Sequence, residues 1–113
     1  GFYYMDLNNT LNSQKDLILH KLNEYLKNYD HLDNDARMKQ ITQVFDLYRY
    51  HRTIEEKYLY KYMTRHQVLT QISRQHDLIE DLIIRMTMVH VDEPDLSFIN
   101  SAQQLKVMLE DYF

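Results

Sequence analysis

The sequence predicts an all-α fold, an antiparallel up-down-up-down bundle of four helices. Three observations carry that prediction. Apolar residues recur at helical spacing in four successive segments, short stretches rich in Asp, Asn or Pro divide those segments, and one Gly and one Pro in 113 residues leave almost nothing from which to build hairpin turns. A chain of this length holds a single core, and 44% hydrophobic with 27% charged residues is globular composition.

The first helix is expected from Leu11 to Tyr29, with Leu11, Ile18, Leu22, Tyr25 and Tyr29 along one face and Asn8, Asn9 and Thr10 as cap candidates. Residues 1–10 are then an N-terminal extension, and 11–113 form the bundle. The segment Asp30 to Asp35 breaks the pattern, and Asp33 or Asn34 suits the first free amides of the next helix. That second helix, about Asp35 to Met63, carries Ile41, Val44, Tyr48, His51, Glu55, Tyr58 and Tyr62 in one stripe. Thr64-Arg65-His66-Gln67 has the form of a capping box and starts the third helix; without a break there, one very long helix would replace two.

Leu69, Ile72, His76, Ile79, Ile83 and Met86 form the inner stripe of the third helix, which ends near His90 or Val91. Asp92-Glu93-Pro94-Asp95 reads as a helix start, with a cap, early carboxylates at the positive dipole end and Pro in the first turn. The fourth helix carries Phe98, Ala102, Leu105, Leu109 and Tyr112. Short connections make sequential helices antiparallel neighbours.

Composition also removes whole classes of function. A net charge of −4 without a basic block does not fit a duplex nucleic-acid partner, whose phosphates must be neutralised. The absence of cysteine excludes disulfides and thiolate metal sites, so any metal is held by N and O donors. No apolar run approaches the roughly 20 residues that cross a bilayer, and a cytoplasmic location without membrane contact is the expectation.

The residues that carry chemistry lie inside the apolar stripes. At 100° per residue His51 and Glu55 fall near the apolar centre of the second helix, and a buried ionised carboxylate must be paired or metal-bound. The third helix repeats the device with His76 and, one turn on, Glu80. Spacing i, i+4 brings two side chains to one patch, as two ligands of one metal require. If the chain turns near Arg65, antiparallel packing puts His51 and His76 at similar depth. The plainer reading is a core histidine satisfied by a carboxylate or by the hydroxyls of Tyr48, Tyr58 and Tyr62. Arg52, Glu56 and Lys57 read as a solvated outer face, His31, His66 and His90 as solvated or capping residues near turns, and the ten tyrosines and six methionines as core and gap-filling residues.

His51-Arg-Thr-Ile-Glu55-Glu56 followed by His76-Asp-Leu-Ile-Glu80, within about residues 11–90, resembles the hemerythrin-like, or HHE cation-binding, family of four-helix bundles. In that family the second-helix His and Glu and the third-helix His bind a non-haem, usually di-iron, centre. The resemblance therefore implies iron, as one or two ions, on His51, Glu55 and His76. Glu80 stands where some members have a second His and others a carboxylate. The first-helix ligand position falls on Lys15, which cannot ligate when protonated; His20 is the nearby substitute, although an ideal wheel puts it opposite the apolar centre. The family's fourth helix supplies a His and, five residues later, an Asp, whereas this one is apolar inside up to Tyr112. Those ligands are expected around or beyond Phe113, or are lost, since Glu110 and Asp111 face away from the stripe.

The function implied is a non-haem iron protein, not an enzyme, that binds or senses dioxygen or nitric oxide or handles iron. The alternative is a metal-free, degenerate bundle serving as an interaction or regulatory module, for which Lys15 and the fourth helix are the evidence. A homo-oligomer that completes its core through Leu109, Tyr112 and Phe113 is a third expectation.

Overall fold

A computed structural model describes residues 2–59, 66–88 and 96–112, with side chains over 9–57, 69–88 and 99–111. Every regular element among them is helical: α1 (Phe2–Asn28), a 3-10 turn (Tyr29–His31), α2 (Asn34–Ile54), a π turn (Glu55–Leu59), α3 (His66–Met88) and α4 (Leu96–Tyr112). Thr64, Arg65, His90, Val91, the Asp92 to Asp95 start signal, and the side chains of Tyr58, Tyr62, His66, Gln67, Phe98, Tyr112 and Phe113 lie outside the described residues.

The first correction concerns the N-terminus. The first helix does not start at Leu11 behind a cap, because α1 begins at Phe2 and runs unbroken through Asn8, Asn9 and Thr10. Asn and Thr cost a helix interior only about 0.7 kcal/mol each relative to Ala. Propagating an existing helix adds a hydrogen bond for each residue fixed, so a short polar triplet does not stop it.

The end of α1 and the start of α2 are built as the sequence directs. Asp33, in extended geometry, accepts the Ala36 amide on Oδ1 at 2.7 Å and caps α2. Arg37, buried although charged, donates from Nε to the Tyr29 carbonyl at 2.8 Å and lays its guanidinium 4.2 Å from the Tyr29 ring centre. It thereby adds a second donor to a carbonyl of the 3-10 turn that also accepts the Leu32 amide, and it makes a cation–π contact.

The core gathers Ile18, Leu22 and Tyr25 of α1, Tyr29 of the 3-10 turn, Ile41, Val44, Phe45 and Tyr48 of α2, Ile79, Leu82, Ile83 and Met86 of α3, and Ala102, Leu105 and Leu109 of α4. Helix α1 touches both α2 and α4, and α3 touches α4. Arg49 of α2 bonds Glu80 of α3, 31 residues away. A continuous helix would hold those residues about 46 Å apart, so the single long helix is excluded. Leu109, one of the three residues of the expected apolar end, is fully buried in the chain's own core. No helix among the described residues is long and apolar enough to cross a membrane.

The Tyr25 hydroxyl is buried without a hydrogen-bond partner among the described residues, and burial pushes its pKa far up. A buried unsatisfied hydroxyl costs stability, so Tyr25→Phe is expected to stabilise the protein by about 1 kcal/mol. Urea denaturation checks this, and a comparable loss would show that the hydroxyl is satisfied.

Candidate metal centre

The site grows from the last turn of α2. Helical spacing carries the stripe Ile41, Val44, Tyr48 inward, and its continuation buries His51 completely and Glu55 almost so. A regular α-helix ends at Ile54, with the Glu55 amide bonding the carbonyls of Arg52 and His51. From Glu55 the backbone widens into a π turn, where the sequence predicted a plain helix to Met63. Such turns insert one residue and are frequent at functional sites.

His51 is held at both ring nitrogens. Nδ1 lies 2.8 Å from the Gln14 amide oxygen of α1, and Nε2 faces Glu55 Oε1 as an ion-pair contact. With Nδ1–H donating to the Gln14 carbonyl oxygen, Nε2 of a neutral ring presents a lone pair to a carboxylate oxygen. In that tautomer a cation between Nε2 and the carboxylate would be stabilised, whereas in the other tautomer Nε2–H donates to Glu55 directly and the Gln14 amide group faces Nδ1.

His76 enters from α3, 1% exposed, with its ring edge-on to Tyr48 at 6.4 Å between centroids. Its Nδ1 lies 3.5 Å from Glu56 Oε1. Burial lowers its pKa; Glu55 and Glu56 pull it back up, and Arg52 pushes it down. Because the folded value is depressed, the unfolded chain binds the proton that the folded chain refuses. Stability of the metal-free protein from this residue is therefore complete above the ordinary imidazole value of about 6.5 and is lost as pH falls below it. Urea midpoints between about pH 7.5 and pH 5 should fall less in His76→Gln than in the wild type; equal slopes would contradict a neutral buried ring.

Glu80 is elsewhere in role. Arg49 donates to its Oε1 from Nη2 at 2.8 Å and from Nε at 3.1 Å, and Arg52 Nη1 lies 3.8 Å from its Oε2. Its carboxylate thus belongs to a surface ion-pair row, not to the His51 and Glu55 contact. His20 is exposed and lines an open groove with Lys21, Glu24, Gln40 and Gln43. Lys15 is half-buried, next to the Gln14 that holds His51. Glu110 and Asp111 are exposed. Among the described residues no group of three or more His, Asp and Glu side chains converges closely enough to hold a metal ion.

Three participants escaped the sequence reading. Gln14 carried no signal, being a polar residue beside the expected ligand position. Glu56 and Arg52 were assigned to a solvated face, yet the Glu56 carboxylate takes Arg52 Nε at 2.8 Å and reaches His76 with the same oxygen. The doubled carboxylate Glu55-Glu56 was the available clue, since Glu55 faces His51 one turn back while Glu56 reaches His76 of α3.

No family model matches this chain, and neither a curated protein nor a solved structure matches it.

Proposed function

We propose that this chain is a hemerythrin-like antiparallel four-helix bundle whose His51, Glu55 and His76 bind a non-haem metal, iron in the first instance. The antiparallel arrangement is supported by contact order: Arg49, Arg52 and Glu56 meet Glu80, Asp77 and His76 in falling sequence, and Gln14 of α1 and Tyr29 of the 3-10 turn meet His51 and Arg37 of α2 in reverse.

One observation carries the metal reading: a fully buried imidazole whose Nδ1 is engaged by the Gln14 carbonyl and whose Nε2 is aimed at a buried carboxylate. Ligating histidines have that signature, the far nitrogen fixing tautomer and ring orientation while the near one meets the metal. With His76, the donors are two imidazoles and one carboxylate, a set that suits ferrous iron. Bound there, iron would supply open positions for a small ligand such as dioxygen or nitric oxide. His51, Glu55 and His76 are all buried, but in the metal-free chain they do not converge closely enough to hold an ion, so binding would require them to close on it.

Glu80 and Lys15 favour a second reading, a metal-free bundle acting as an interaction module. Glu80 is engaged by two arginines, and a lysine holds the first-helix position. Elemental analysis after expression in iron-rich medium separates the two. Retained iron, lowered at least tenfold by His51→Ala, is the expected result; iron-free protein that takes up none on reconstitution supports the second reading.

A further inference from the structure

We propose that the seam between α2 and α3 is the opening edge of the bundle, latched by the ion-pair row Arg49, Glu80, Arg52 and Glu56, and that releasing the latch admits small solutes to the buried His76 ring. The latch belongs to the chain without any bound ion and is independent of the metal reading. Among the described residues, close backbone approach joins α1 to α2, α1 to α4 and α3 to α4, and next to none joins α2 to α3. Side chains span that seam instead, and their chemistry changes along it. At one end Ile41, Val44, Phe45 and Tyr48 share the apolar core with Ile79, Leu82, Ile83 and Met86. At the other, beside the π turn, charged groups make the connection. Arg49 Nη2 and Nε lie 2.8 and 3.1 Å from Glu80 Oε1. Arg52 Nη1 lies 3.8 Å from Glu80 Oε2 and its Nη2 3.9 Å from Asp77 Oδ1, while its Nε bonds Glu56 Oε1 at 2.8 Å.

The buried ring sits directly behind this row. His76 is 1% exposed, yet the Glu56 carboxylate 3.5 Å from its Nδ1, and the Arg52 that holds that carboxylate, are both partly open to water. On this side the ring is therefore covered by charged chains and not by apolar packing. Such a cover answers to salt. Exposed ion pairs contribute little each, and they lose most of their attraction as the screening length falls to roughly 3 Å in 1 M salt. Apolar burial has no charge to screen. Glu80 is the keystone, because its two oxygens take one arginine each. Neutralising it frees Arg49 and Arg52 to turn to water, and the helix ends beside the π turn can part while the apolar end stays packed. Local opening of this kind needs far less free energy than global unfolding.

The test follows carbethoxylation of His76 in the full chain by diethyl pyrocarbonate at about pH 7.5, read by peptide mass spectrometry, with the exposed His20 and His31 as references. At low salt the wild-type His76 should label more slowly than His20 by about 10-fold or more. Glu80→Gln at low salt, and separately about 1 M NaCl on the wild type, should each raise the His76 rate relative to His20 about 5- to 10-fold. Glu110→Gln, which removes a pair with Lys106 inside α4, should leave the ratio unchanged. Amide hydrogen exchange in the same samples should speed up over 49–57 and 76–80 and stay constant over 41–45 and 82–86. A His76 rate left unchanged by Glu80→Gln or by salt overturns the latch. So does faster exchange spread evenly over all four helices, which is global loosening and not the opening of one seam.

Discussion

Replacing His51 by Leu alone is expected to destabilise the metal-free protein by about 3–5 kcal/mol, whereas His51→Leu with Glu55→Leu is expected to leave it as stable as the wild type or more so by about 1–4 kcal/mol. The asymmetry follows from burial. His51 is 0% and Glu55 6% exposed, so both polar groups lose water on folding and recover part of that loss through their mutual contact. Removing the imidazole takes away the neighbour that Glu55 faces, and the carboxylate must then neutralise or stay charged in the core. Removing both replaces the contact with packing against Val44, Tyr48 and their neighbours. The Gln14 amide loses its acceptor or donor in either variant, but it is half-buried and can turn to water. Urea denaturation of the three proteins measures the difference. A double variant as unstable as the single one would mean that the polar pair stabilises the fold and needs no further explanation. A stable double variant would mark the pair as one retained for something other than stability.

Leu22→Ala is expected to cost about 2–5 kcal/mol, a large share of the roughly 5–15 kcal/mol that holds a domain of this size. Leu22 is fully buried on α1, the helix that touches both α2 and α4, so its truncation leaves a cavity that no single helix can close by shifting. Thermal unfolding followed by circular dichroism reads the loss. A change below about 1 kcal/mol would contradict a close-packed centre.

Much of this was legible in the sequence because helical period and burial are the same information. The stripes Leu11, Ile18, Leu22, Tyr25 and Tyr29, and Ile41, Val44 and Tyr48, are buried as their spacing requires, and His51, Glu55 and His76 follow the period inward despite their polarity. Phe45 and Arg37 were missed, one because it sits at the margin of its stripe and the other because burial of an arginine depends on the Tyr29 carbonyl and ring across the turn. The start of α1 was missed because cap residues are compatible with a helix interior at small cost. Glu80 illustrates the limit of pattern reading. Its position one turn beyond His76 suggests a ligand, but its carboxylate is set by Arg49 and Arg52 on another helix, a contact that no local spacing encodes. Glu56 is the converse, a residue on an ordinary charged face that tertiary structure brings to His76.

The central claim, that His51, Glu55 and His76 hold one metal, is tested most directly by anaerobic titration with Co(II), reading the ligand-field bands. Saturable uptake with imidazole-type bands is predicted for the wild type, for His20→Ala, whose side chain is exposed, and for Glu80→Ala, whose carboxylate serves the arginines. The same titration of His51→Ala, Glu55→Ala and His76→Ala should show binding weakened by at least 100-fold in each. Absence of uptake by the wild type, or uptake that survives all three substitutions, would contradict the account.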